Sequence, residues 1–120
     1  MNQRQTIKVK GESYHVTGDI PGASVTFWGT LRLQNMSAYT PIMQLMDEVS
    51  AAAIGVITLN LEDLRFLNSS GINMLFRFVI QTCDQGDLQV VVRGSTQSPW
   101  QTRSLANLRR LVPTLQLEFV

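Results

Sequence analysis

Apolar positions along this chain recur with two different periods, and the switches between them mark the elements. SYHVTGDI (13–20) alternates and predicts a short strand. Pro21-Gly22 marks a turn. SVTFWGTLRL (24–33) opens with β-branched and aromatic residues and predicts a second strand, with Gly29 as a bulge. Ile42, Met43, Met46, Val49 and Ala53 then recur at three- and four-residue spacing, which predicts a helix. Thr40 stands at its N-cap, Pro41 at its first position, and Gly55 stops it. VITLNL (56–61) predicts a buried strand, and EDLRF leads out of it. A second helix runs from about Ser70 to Asp84, with Ile72, Leu75, Phe76, Val79, Ile80 and Cys83 as its inward stripe and Gly86 as its stop. LQVVV (88–92) is a further strand. Ser98-Pro99-Trp100-Gln101 fits a capping box, with Ser98 as cap and Gln101 at the third position. The helix it opens runs to about Val112, with Leu105, Leu108 and Val112 inward. LQLEFV (115–120) alternates as a terminal strand.

Strands separated by helices imply crossovers and parallel pairing. The expected fold is a single α/β domain: a mixed, mostly parallel sheet of about five strands, with about three helices packed mainly on one face. Residues 1–12 are left as a flexible or edge-strand N-terminus.

Composition narrows the function classes. The chain has 120 residues, 44% of them hydrophobic and 16% charged, which suits a globular domain with a core. A net charge of +1 gives no electrostatic footprint for nucleic acid. The Arg109-Arg110 doublet reads as a solvated helix face. No apolar run reaches the roughly 20 residues that a membrane span needs. MNQRQTIKVKG lacks the apolar core of a signal peptide, so a cytoplasmic location is expected. The single cysteine, Cys83, excludes an internal disulfide and reads as a buried structural thiol.

Enzymatic chemistry is hard to assemble from these residues. Ser69 and Ser70 both fail the G-x-S-x-G elbow pattern. The only histidine, His15, lies far away in the first predicted strand and reads as a partly exposed strand residue. Asp47-Glu48 and Glu62-Asp63 are isolated acidic pairs that read as surface charges, and no metal site or cofactor motif is present. The chain is expected not to be an enzyme.

The stretch LNSSGINML (67–75) remains, at the turn from a strand into a helix. Asn68 or Ser69 can serve as the N-cap. A cap needs only one such residue, and Gly71 in the first turn costs about 1 kcal/mol relative to alanine. Gly71 therefore signals close approach by a neighbouring element or by a partner. At about 100° per residue, Met74 and Phe78 fall opposite the expected core stripe, on the side of Ser70. They either pack on a neighbouring helix or form an apolar patch beside the serines.

The segment VITLNLEDLRFLNSSGINML resembles the signature of the STAS domain, the fold of bacterial anti-sigma factor antagonists. There a hydrophobic strand leads through DLxxΦDSSG (Φ apolar) into a helix. Asp63-Leu64-Arg65-Phe66-Leu67-Asn68-Ser69-Ser70-Gly71 follows that pattern. TFWGTLRL resembles the family's second strand and LQLEFV its last, so the element order agrees across nearly the whole chain. Two positions depart from the family: Asn68 replaces its usual aspartate, and Arg32 replaces an acidic residue near the end of its second strand.

The resemblance implies a non-enzymatic signalling module that binds a protein partner, such as a GHKL-type serine kinase that doubles as an anti-sigma factor. It makes Ser69 the phosphoacceptor, with a PP2C-type phosphatase reversing the modification. Asn68, Ser70, Gly71, Met74 and Phe78 become the candidate partner contacts. A constitutive, unphosphorylated scaffold and a small-ligand or nucleotide sensor are the alternatives.

Overall fold

The computed structural model describes residues 5–20 and 22–120. Residues 1–4 and Pro21, the first half of the expected turn, lie outside the described residues. Among the described residues, six strands form one sheet in the order in which they occur along the chain. These are β1 (Gln5–Lys10), β2 (Tyr14–Ile20), β3 (Ser24–Leu31), β4 (Val56–Leu67), β5 (Gln89–Gly94) and β6 (Gln116–Phe119). The pairs β1–β2 and β2–β3 are antiparallel. From β3 to β6 the pairing is parallel. Each parallel crossover carries a helix: α1 (Thr40–Ala52), α2 (Ser69–Gln85) and α3 (Pro99–Leu111). A short 3-10 turn, Met36–Tyr39, leads into α1. The mixed sheet with helices on one face is the fold class expected from the sequence, with one more strand.

The sixth strand is β1, at the sheet edge, which is the edge-strand alternative left open for residues 1–12. Only Ile7 and Val9 turn inward, opposite Gly18 and Val16 of β2. Charged and polar residues on the other face weaken its strand signal, which is also how edges avoid further pairing.

β4 is twice as long as expected, and its shape explains why. Ile57, Leu59 and Leu61 turn inward at a spacing of two, but the next inward residues are Leu64 and Leu67. The strand is bulged twice. Between Thr26↔Asn60 and Trp28↔Asp63, β3 advances two residues and β4 three; between Gly29↔Leu64 and Thr30↔Phe66, β3 advances one and β4 two. Each bulge adds a residue to β4 and breaks the period that identifies a strand. Gly29 lies between the bulges at φ +91, and a side chain there would strike the backbone of Ser13.

Two expected caps are built differently. Asn35 caps the 3-10 turn by accepting from the Ala38 amide at 3.0 Å, and Tyr39, not Thr40, precedes α1. At α3, Ser98 makes no side-chain cap bond. Gln101 turns inward, because β4 continues beyond the end of β5 and its carbonyls there lack a ladder partner. Gln101 Nε2 donates to the Leu61 and Leu64 carbonyls at 2.6 and 3.0 Å, and Oε1 accepts from the Ser95 amide at 2.8 Å. Gln101 is fully buried. Trp100 Nε1 adds a bond to the Leu64 carbonyl at 3.3 Å. Among the described residues, no helix is long and apolar enough to cross a membrane.

Candidate functional site

The parallel strand β4 delivers the chain to the N-terminus of α2, which begins at Ser69. Asn68 is its N-cap, with extended backbone at φ −76 and ψ 176. Of the two candidate caps, the structure selects Asn68 because its side chain serves three partners at once. Oδ1 accepts from the Gly71 amide at 3.0 Å and from the Tyr39 hydroxyl at 2.6 Å. Nδ2 donates to the Leu33 carbonyl at 2.8 Å. The Asn68 amide meets the Leu31 carbonyl at 3.1 Å, and the Asn68 carbonyl accepts from Ile72 at 2.9 Å. One side chain thus ties the segment just after β3, the 3-10 turn and α2 together. An aspartate would satisfy both donors but would turn a second oxygen towards the Leu33 carbonyl. This contact accounts for asparagine here. Burial pushes the Tyr39 phenol above its ordinary pKa, which keeps it a proton donor to Asn68.

Gly71 is buried, and the close neighbour inferred from it belongs to the protein itself. A Cβ there would lie 2.7 Å from Tyr39 Oη and would clash with Leu67 Cδ1. Gly71→Ala is expected to lower stability by about 1–2 kcal/mol, because overpacking outweighs the gain in helix propensity. Chemical denaturation checks this, and an unchanged midpoint would show that Tyr39 and Leu67 give way freely.

Met74 and Phe78 do not form a surface patch. Met74 is 0% and Phe78 4% exposed, so both belong to the core and neither can meet a partner. The inward arc of α2 is Gly71, Met74, Leu75, Phe78, Val79 and Thr82. Of the expected stripe, Ile72, Phe76, Ile80 and Cys83 are instead only partly buried. The reason is position: α2 lies between α1 and α3 on the sheet and is covered on three sides. At about 100° per residue, Phe76 and Ile80 fall within about 20° of Ser69 on the outer side. The partly buried apolar residues on the serine's side of α2 are therefore Ile72, Phe76 and Ile80, which still pack against the core.

Ser69 is exposed and Ser70 half-buried. The amides of Ser69 and Ser70 make no hydrogen bond among the described residues. Together with the helix dipole, they form an end that favours an anion. Arg32, at the departure from the family pattern, lies 4.8 Å from the centre of the half-exposed Phe66 ring. Phe66 precedes Leu67 and the Asn68 cap, so this pair flanks the same end of the sheet.

The other candidate groups lie elsewhere. His15 stacks on Trp28 at 4.3 Å on the sheet face away from the helices, and no hydrogen bond links it to either serine. Glu62 is not a free surface charge, since Arg93 lies between it and Glu118 at 3.8 and 3.5 Å. Burial pushes the Cys83 thiol above its ordinary value. A depression of about 710 Å3 is lined by Asp47, Ser50, Ile54, Gln85 and Asp87. It adjoins the start of β4 and so lies at the opposite end of the sheet from Ser69. Among the described residues, no group of histidine, cysteine and carboxylates is placed to hold a metal ion.

No known family model matches the chain, and no curated protein matches it in sequence. Solved structures do share its fold. SiaC of Pseudomonas aeruginosa superposes with a TM-score of 0.68 at 14% identity, over 97% of this chain and 96% of that one. Apo-SiaC from the same organism gives 0.64 at 14%, over 98% of both chains. A chain in the complex of the diguanylate cyclase SiaD with its activator SiaC, also from Pseudomonas aeruginosa, gives 0.71 at 13%, over 94% of this chain and 97% of that one. At this level of identity the likeness establishes a shared architecture across the whole described chain.

Proposed function

We propose that this protein is a non-enzymatic regulatory module that binds a protein partner through the N-terminal end of α2, and that phosphorylation of Ser69 switches the contact. The observation that carries the reading is a division of labour at that end. Asn68 and Gly71 are committed to holding the helix start against Tyr39, Leu33 and Leu67. Ser69 next to them is exposed and has no structural task. The STAS signature supports Ser69 as the acceptor of a phosphate from a GHKL-type kinase and as the substrate of a PP2C-type phosphatase. The likeness to SiaC, whose complex with SiaD is that of an activator with a diguanylate cyclase, supports a protein partner.

Phosphate adds about −1.5 to −2 charges. The free Ser69 and Ser70 amides and the helix dipole accommodate such a charge in the free protein, so the fold survives. Inside an interface built on Ile72, Phe76 and Ile80, the same charge would be stripped of water and left unpaired, so binding falls. The switch alters the surface and leaves the core untouched.

Ser69→Asp tests this. Its melting temperature is expected to match the parent, since the substitution changes stability by no more than about 0.5 kcal/mol. Capture of the partner from native lysate, quantified by mass spectrometry, is expected to fall at least about tenfold, as for loss of about 1.4 kcal/mol. A phosphatase-sensitive mass gain mapped to Ser69 completes the case. Full capture by the variant, with an unmodified native mass, would instead identify a constitutive scaffold.

A further inference from the structure

The end of the sheet that projects α2 carries a cation with no acidic partner. Arg32 follows β3 and is exposed. Among the described residues its side chain makes no ion pair and no hydrogen bond. It lies instead over Phe66, with the guanidinium carbon 4.8 Å from the ring centre. Phe66 is itself 38% exposed, so the pair stands at the surface. A guanidinium laid over a ring engages only its face. The N–H groups along its edge remain available to an acceptor.

The backbone fixes what that edge can reach. β3 and β4 run parallel up to the pair Leu31↔Leu67. The Leu31 carbonyl accepts from the Asn68 amide at 3.1 Å, and the Leu33 carbonyl accepts from Asn68 Nδ2 at 2.8 Å. Both chain neighbours of Arg32 are thus tied to the residue before Ser69. Arg32 therefore stands about one strand spacing, roughly 4.8 Å, from Asn68, and Ser69 is the next residue along. Leu31 and Leu67 are buried in the core, which sends Arg32 and Phe66 to the opposite side of their strands. Arg65 is aimed elsewhere, since it lines the depression beside Trp28, Thr30 and Asp63. Of the two cations at this end, Arg32 is the one whose backbone is pinned beside the serine.

We propose that Arg32 is the counter-ion of phosphorylated Ser69: the guanidinium edge closes on the phosphate oxygens, and Phe66 supports the face. The proposal rests on Ser69 as the phosphoacceptor and names the residue that holds the modified state. Arginine suits this task because its planar fork donates two parallel bonds to two oxygens of one phosphate. The unbonded amides of Ser69 and Ser70 supply donors from the helix side. Modification then changes the surface twice. It adds an anion at Ser69, and it withdraws the exposed Arg32 cation from a partner.

Phosphoserine installed in place of Ser69 during synthesis of the whole chain tests the clamp without any kinase. Phosphorus NMR follows the second ionisation of the phosphate, which is expected below its ordinary pKa of about 6. Arg32→Gln should raise that pKa by about 0.5, as for loss of an exposed ion pair. Phe66→Leu should raise it by less, because the fork keeps its charge and loses its support. Arg65→Gln should leave it unchanged. The Arg32 Nε–H signal should also move on phosphorylation, which a purely structural role does not predict. All three variants change exposed side chains, and melting matched to the parent confirms that they fold. The same phosphate titration in the parent and in Arg32→Gln, or an equal rise from Arg65→Gln, would overturn the clamp and leave Ser69 as the acceptor. A native chain unmodified at Ser69 would overturn the acceptor and the clamp together.

Discussion

Gln101→Leu is expected to lower stability by about 3–5 kcal/mol, the largest effect of any single polar substitution considered for this protein. The side chain is fully buried and bonds three backbone groups, two in β4 and one just after β5. Leucine matches its bulk but leaves the Leu61 carbonyl and the Ser95 amide without partners, each at a cost of about 1–3 kcal/mol. The Leu64 carbonyl keeps only the longer bond from Trp100. For a domain of this size, the melting temperature should fall by roughly 12–20 °C. Trp100→Phe, which removes one bond of 3.3 Å, should cost only about 0.5–1.5 kcal/mol.

Gln101→Glu separates donor from acceptor. Its carboxylate would face two carbonyl oxygens in the core, so the folded state raises its pKa above the unfolded value of about 4.3. The penalty is then smallest below about pH 4 and grows as the pH rises through the folded pKa. Equal melting of Gln101→Leu and the parent protein would show that solvent reaches the free carbonyls of β4.

Asn68→Ala is expected to cost about 2–4 kcal/mol. Loss of the cap accounts for about 1 kcal/mol. The rest comes from the Tyr39 hydroxyl, left buried without an acceptor, and from the Leu33 carbonyl, left without a donor. Asn68→Asp should cost about half as much, because it keeps both accepted bonds and loses only the one to Leu33. Tyr39→Phe in a double-mutant cycle with Asn68→Ala should show a coupling of about 1 kcal/mol, as residues in direct contact do. An additive cycle would mean that the 2.6 Å contact contributes nothing to stability.

These two side chains frame the proposed switch. Asn68 holds the helix start rigid, so that modification of Ser69 meets a fixed end and not a fraying one. Gln101 holds the bulged half of β4, from which that end is projected. A partner that reads Ser69 therefore reads a surface whose backbone is anchored on both sides.

The elements most legible from residues alone are those in which local signals agree. Gly86 ends α2 in a left-handed conformation, φ +79, as a glycine after an apolar stripe predicts. The order of helices and strands follows from the switch between periods, and with it the parallel half of the sheet. Ser69-Ser70-Gly71 marks the candidate site through chemistry that depends only on the first turn of a helix.

Tertiary context decided the rest, for reasons visible in particular residues. The bulges in β4 replace a period of two with the spacing Leu61, Leu64, Leu67, so the second half of the strand has no strand signature. β1 is an edge with one weak apolar face, and only pairing with β2 makes it a strand. The orientation of α2 could not be read because Ile72, Met74, Leu75, Phe76, Phe78, Val79 and Ile80 make it apolar almost all round. Which side faces the sheet depends on the neighbours α1 and α3, and that choice buries Met74 and Phe78 fully and leaves Phe76 and Ile80 only partly buried. Gln101 has the sequence position of a capping residue, but an unpaired carbonyl in a buried place costs more than an uncapped amide in water. Periodicity along the chain determined which elements form; the long-range demand for buried hydrogen bonds and a covered core decided which way each one turned.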